Sequence, residues 1–359
     1  MIRQDITRAV SFVALLLVCV FAAPAPTAAE DRSTVRTVLL GKSYPLEFRV
    51  SRHAALFHWL DSLVNLSGGK TVAAHQREYE ARLGKPTAAE TKLLDRFRRA
   101  RYHDARRPTA TPDDDPGDVR GLAALRRVFL EAPDLVSALE IAELEMDPDH
   151  IATLRETLVY FEPKYETIWQ DGRIPVRFLS RFANDTKRDD LEDLLARITR
   201  FFGADLSELP RPAVVLVPVP TGYGTHAAAV GPYLLVEVRP PDRLPQQASV
   251  IVHENSHFLF INMDPERRRR IEAIVASSSS ERTLEAWETL HEALPTALGQ
   301  GVADRTFRPR SWSTRQPWYH TRKVDAYAKA LYPLVRAALE SGEPFDEPFL
   351  KKAIELYPY

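Results

Sequence analysis

The chain has 359 residues, 45% of them hydrophobic and 27% charged. This usage excludes collagen-like, coiled-coil and wholly disordered chains, and the length allows one large domain or two of average size with ample core. Lys and Arg number 48 against 49 Asp and Glu, a net charge of −1, so no basic footprint points to nucleic acid.

From the N-terminus, Arg3 and Arg8 precede an apolar run from Val10 to Ala23 interrupted only by Ser11, and small residues follow through Ala29. The pattern predicts a secretory signal peptide over residues 1–29, cleaved near Ala29, and hence a secreted or periplasmic protein. An uncleaved membrane anchor is the competing reading. A lipoprotein through Cys19 is disfavoured, because Val18 precedes the Cys where a small residue is wanted. Cys19 is the single cysteine, so cleavage would leave a chain without thiols or disulfides. No later run reaches membrane-spanning length, which predicts no membrane span in the mature chain.

Residues 30–205 read as a mainly helical N-terminal region. It opens with two strands, Val35 to Leu40 and Leu46 to Val50, split by Gly41 and Pro45. Helical periodicity then runs from Ser51 to about His103, with breaks at Gly68-Gly69 and Gly84-Lys85-Pro86. Thr87 with Glu90 three residues on has the form of a capping box. Arg106 to Gly121 is rich in Pro and charge and reads as a loop. Helices resume from Leu122 to about Trp169, broken near Ala132-Pro133 and Asp147-Pro148, and again from Asp189 to Phe202, ended by Gly203. The region from 206 to 359 changes texture. Ala213 to Val219 and Tyr233 to Val238 have strand character, with a turn at Pro220 to His226, and beyond Pro240-Pro241 the chain is helical. The class is therefore α+β, mostly helical.

His253-Glu254-Asn255-Ser256-His257 is an H-E-x-x-H in a predicted helix from about Leu244 to Asn262. Residues i and i+4 lie one turn apart on one side of a helix, so both imidazoles can grip one metal ion. Glu254 borders the same face, where a carboxylate can take a proton from a water that the metal activates. The flanks Val250, Ile251, Val252, Phe258, Leu259, Phe260 and Ile261 predict burial. Two His and a Glu left unpaired there would carry a large desolvation cost, which a metal ion removes. A buried hydrogen-bonded His/Glu cluster without metal is the plainer alternative. Catalytic zinc wants a third protein ligand and an open fourth position. Phe260 and Met263 stand where an H-x-x-G-x-x-H extension would need Gly and His, which argues against the metzincin arrangement. The helix from Thr283 to Leu298, stopped by Gly299, offers Glu285, Glu288 and Glu292 on one face.

These motifs, within about Ala213 to Gly301, resemble the gluzincin metallopeptidases. His291-Glu292-Ala293-Leu294-Pro295-Thr296 is similar to the Asn-Glu-Ala-x-x-Asp run of thermolysin-like enzymes. The resemblance implies a zincin-like C-terminal half: a small sheet with an edge strand, the H-E-x-x-H helix and a downstream Glu helix. It implies zinc (Zn2+) held by His253, His257 and Glu292, with Glu288 as the other candidate ligand, and Glu254 as general base. Thr296 stands where an Asp that orients a ligand His is usual. The edge strand it implies is Tyr233 to Val238, along which an extended peptide or protein substrate would run antiparallel; an interior strand with both edges occupied is the competing reading, because Leu234, Leu235 and Val236 are consecutively apolar. A non-catalytic binding or structural protein on the same scaffold, with a structural or vestigial metal site, is the rival reading.

Tyr319 and His320, in Trp318-Tyr319-His320-Thr321-Arg322, are candidates to steady an oxyanion, against the plainer reading of a packed aromatic and a surface His. Tyr223 and His226 read as turn residues, and Arg267 to Arg270 as the wet face of a helix. His53, His58, His75, His103 and His150 stand in no recognisable ligand motif.

Overall fold

The computed structural model describes residues 36–39, 44–65, 70–101, 120–169, 173–219, 227–239 and 242–358. The expected signal peptide, most of the Arg106 to Gly121 loop and the Pro220 to His226 turn lie outside the described residues. The strands are β1 (Arg36–Leu39), β2 (Glu47–Val50), β3 (Ala213–Pro218), β4 (Ala227–Val230) and β5 (Tyr233–Val238). They form one sheet in the order β1-β2-β3-β5-β4. The β2–β3 and β3–β5 pairs are parallel, and the two outer pairs are antiparallel. Residues 30–205 and 206–359 thus contribute to a single sheet, within one compact unit spanning 33–359.

The two-residue period of the strands sorts their side chains between two cores. Val214, Leu216, Leu234, Val236 and Val238 join one, and Val215, Val217 and Leu235 the other. Helices cover both faces, which is why β3 and β5 are apolar at consecutive positions rather than alternate ones. One layer holds α1 (Arg52–Val64), α2 (Lys70–Leu83), α3 (Ala88–Ala100), α4 (Arg120–Glu131), α5 (Leu135–Glu145) and α6 (Pro148–Trp169). Their core is aromatic, with Trp59, Phe97, Phe129 and Phe161 all buried. The opposite core takes side chains from α7 (Arg173–Ala183), α8 (Arg188–Phe202), α9 (Leu244–Ile261), α10 (Pro265–Ala276) and α11 (Glu281–Thr296). A π-helical segment (Ala297–Ala303), α12 (Asp304–Phe307), α13 (Arg322–Ser341) and α14 (Glu347–Glu355) complete that layer. Among the described residues, no helix is long and apolar enough to cross a membrane.

Local chemistry sets the boundaries as expected at several points. The α3 capping box is formed: Glu90 N donates to Thr87 Oγ1 at 3.2 Å and Thr87 N donates to Glu90 Oε2 at 2.7 Å. Gly203 ends α8 in the left-handed region, at φ 69°. Two expectations are overturned. Tyr233 to Val238 is not an edge strand: β5 pairs with β3 on one side and β4 on the other. Its consecutive apolar residues reflect burial on both faces. Gly299 does not stop the Glu helix, because the chain continues through it in the wider π-helical winding.

The N-terminal strand pair is tied directly to α9. Tyr44, just before β2, donates its hydroxyl to Asn255 Oδ1 at 2.6 Å, and its backbone N donates to Glu192 Oε1 of α8 at 3.3 Å. Tyr44 and Asn255 are fully buried, and burial pushes the Tyr44 phenol well above its usual range, so it stays a donor. Tyr44→Phe leaves the Asn255 carbonyl buried without this donor. We expect a loss of about 1–3 kcal/mol in stability, measured by denaturant unfolding. An unchanged midpoint would show that the bond does not anchor α9.

Candidate metal centre

α9 begins where Pro245 occupies its first turn and Gln246 Oε1 accepts from Arg243 N at 3.1 Å. Its apolar residues Ala248, Ile251, Val252 and Leu259 are fully buried, so the helix runs through the core and carries its polar motif with it. His253 and Glu254 are buried and His257 is partly exposed. Within the motif, Ser256 Oγ donates back to Val252 O at 2.6 Å, so this hydroxyl is spent on the helix itself.

The two imidazoles and Glu292 converge. His253 Nε2 and His257 Nε2 are 3.2 Å apart. Glu292 Oε2 lies 3.6 Å from His253 Nε2, and Glu292 Oε1 lies 3.6 Å from His257 Nε2. All three donor atoms fall within 4.8 Å of one another. Glu288, the alternative ligand, is exposed and does not join this group. Glu285 is also exposed, and it accepts from Lys323 Nζ at 3.0 Å and Tyr357 Oη at 3.1 Å.

The electrostatics are those of a tight cluster. Burial works to raise the Glu292 pKa, but contact with His253, the charges of His257 and His253 and a hydrogen bond from Tyr319 hold it at about 2. Burial works to lower that of His253, yet the Glu292 carboxylate and the negative field of Glu254 raise it above the ordinary imidazole value. Burial and the neighbouring His253 push His257 down to about 4. A carboxylate that stays ionised beside an imidazole that stays neutral is a donor pair suited to a cation.

The π-helical segment completes the wall. Pro295 lacks the N–H that would bond the carbonyl four residues back, and the chain widens just after it. Gly299 then packs directly on α9. A Cβ there would meet Ser249 O at 2.5 Å and His253 Cβ at 3.0 Å. Gly301 makes the other close approach, with Tyr332 Cδ2 at 2.7 Å and Trp318 Cζ3 at 3.2 Å from a would-be Cβ. Trp318 leads to Tyr319, whose backbone N donates to Asp325 Oδ1 at 3.3 Å, beside the 2.6 Å bond from Trp318 N. The Tyr319 ring lies 6.4 Å from that of His253 and nearly parallel to it. His320 is exposed, with its ring against Tyr319.

Sequence reasoning missed Gln300. It follows Gly299 on the π-helical segment, and its side chain is among the groups that raise the His253 pKa. His253 Nδ1 and Gln300 Oε1 are both buried, and neither makes a well-formed hydrogen bond. Thr296 Oγ1, at the position where the orienting Asp was missing, is also buried without a partner. Gln300, not Thr296, is the side chain placed to accept from Nδ1 and so present Nε2 to a metal. The only sequence signal was a Gln flanked by two glycines. Comparisons with protein-family models, with curated proteins and with solved structures found no match to this chain.

Two outcomes test this geometry. Glu292→Ala should release the metal from the centre and Glu288→Ala should retain it, as counted by elemental analysis; the reverse result would move the ligand one turn upstream. Gln300→Leu should weaken metal affinity about 10–100-fold while leaving the fold intact, as measured by competition with a chromogenic chelator. Unchanged affinity would remove Gln300 from the orienting role.

Proposed function

We propose that the protein is an exported, zinc-dependent hydrolase, a peptidase of the gluzincin kind that residues 213–301 resemble. The observation that carries this reading is the convergence of His253, His257 and Glu292 from two helices, with Glu254 next in chain to His253. Two imidazoles and one carboxylate without a thiolate suit zinc with a position open for chemistry. The side chain of Glu292 is 41% exposed and that of His257 21%, so solvent and substrate can reach the centre. A zinc bound there would supply Lewis acidity to a substrate carbonyl and lower the pKa of an attacking water.

The remaining work belongs to the chain. Glu254 takes the proton of the attacking water on its carboxylate and returns it to the leaving nitrogen. Tyr319 hydrogen-bonds Glu292 and sits beside His253, so its hydroxyl is close enough to turn toward a developing oxyanion. Gln300 and Gly299 hold the His253 ring in place. The substrate is a peptide or protein that lies extended along the sheet. With β5 enclosed, its pairing edge is the outer side of β4, against which α9 packs and on which no further strand pairs among the described residues.

The decisive variant is Glu254→Gln, which preserves size and removes the base. Zinc content should be retained and cleavage of a mixed peptide library should fall by at least ~100-fold, the scale of general-base loss. Full activity in this variant would exclude the mechanism. A zinc-loaded wild-type protein that cleaves no peptide would favour the non-catalytic binding protein instead.

A further inference from the structure

A second group of metal-type donors lies on the other side of the sheet. Glu237 is the fifth residue of β5, and the two-residue period turns its side chain to the face opposite Val236 and Val238, toward the N-terminal helices. There His58 of α1 and His75 of α2 meet it. His58 Nε2 donates to Glu237 Oε1 at 2.8 Å, and His75 Nε2 lies 3.7 Å from the same oxygen. The two imidazole rings are 5.7 Å apart, edge to face. The three donor atoms lie within 4.8 Å of one another, and all three residues are buried.

We propose that His58, His75 and Glu237 form a second, structural zinc site. A hydrogen-bonded cluster alone does not account for His75. Its side chain is 3% exposed; Nδ1 has no hydrogen-bond partner, and Nε2 has only the long contact to Glu237 Oε1 rather than a well-formed bond. The 3.7 Å to Glu237 is beyond hydrogen-bond reach. An imidazole buried without a well-formed bond at either nitrogen is costly, and one aimed at a buried carboxylate that a second imidazole also faces is placed as a ligand. A divalent cation would also neutralise the Glu237 carboxylate, which is 1% exposed. Two imidazole nitrogens and one carboxylate oxygen favour zinc over magnesium or calcium, which take oxygen donors. All three donor residues are buried among the described residues, so the role we assign to the site is structural.

The site also has something to hold together. It joins α1 and α2 to β5 through the Glu237 side chain. From the other face, Gln247 of α9 donates its side-chain amide to the Glu237 carbonyl at 3.4 Å and to Asp242 Oδ2 at 2.7 Å. One residue of β5 thus fastens both helical layers to the sheet.

The site is independent of the catalytic proposal, and the experiment separates them. In the full-length chain carrying His253→Ala and His257→Ala, metal analysis after Zn2+ loading and desalting should find one equivalent of zinc, and a chelator should lower the melting temperature. Adding His75→Ala should bring zinc to background. Should that protein fail to fold, Glu237→Gln, which keeps the shape, should remove the zinc in its place. The proposal is overturned if the doubly substituted protein takes up no Zn2+ and melts at the same temperature with and without chelator, or if its zinc persists in the His75→Ala or Glu237→Gln protein.

Discussion

The contact between Gly299 and α9 is the constraint on which the candidate centre depends. A hydrogen in place of a Cβ lets the 297–303 segment lie against Ser249 O and the His253 backbone. That approach fixes how far α11 sits from α9, and so whether Glu292 can reach two imidazoles on the facing helix. It also brings the Gln300 side chain near enough to His253 to raise its pKa. On the far side of the segment, Gly301 admits Trp318 and Tyr332, and the Trp318 anchor places Tyr319 over the cluster. A π-helical winding suits this because it shifts the residues after Pro295 around the helix axis without ending the helix. Local geometry that would be poor for stability is retained where it aims side chains.

The polar groups of α9 are divided between its surroundings in the same economical way. The motif passes through a core in which an unsatisfied amide or carboxylate would be expensive. The Asn255 carbonyl accepts from Tyr44, the Ser256 hydroxyl bonds its own helix, and the Gln247 amide N–H groups go to Asp242 and the Glu237 carbonyl, while Asn255 Nδ2 and Gln247 Oε1 stay buried without a well-formed bond. His253 and His257 are the α9 side chains that converge with Glu292. The strand segment before β2 therefore has a role in the centre although it contributes no donor atom. The division into an N-terminal helical part and a C-terminal metal-binding part leaves out this connection.

Much of the fold could be read along the chain where local patterns control structure. The breaks at Gly84 and Pro148 and the cap at Thr87 act within a few residues, and the helices begin and end beside them. The motif helix was legible because apolar residues flank the His and Glu on both sides. Other features were not legible because long-range contacts decide them. β4 is Ala-Ala-Ala-Val, a sequence without strand preference that pairs because β5 offers it a partner. Burial of β5 on both faces could be read, but not which strands flank it. α7 covers the sheet with Phe178 and Phe182 in a stretch assigned to no element from sequence. Gly299 carries the signal of a helix stop, and only the proximity of Ser249 reveals it as a contact. His58, His75 and Glu237 are separated by 179 residues from first to last, so no spacing rule could unite them.

The two clusters share one donor set, two imidazoles and a carboxylate, and their settings are the ground for the different roles proposed for them. Around Glu292 the carboxylate is partly open to water, and Glu254 is the neighbour proposed as a base. Around Glu237 all three donor residues are buried. Ligand chemistry sets which ion can bind, whereas access sets what the ion can do. The positions follow from topology. Glu292 is on a helix at the rim of its layer and faces the opening between α9 and α11. Glu237 is on an interior strand, where its side chain meets His58 of α1 and His75 of α2. With the carboxylate on a helix beside α9 the three donors keep an exposed side, and with it on an interior strand they lose it; that difference in access is what separates the two proposed roles.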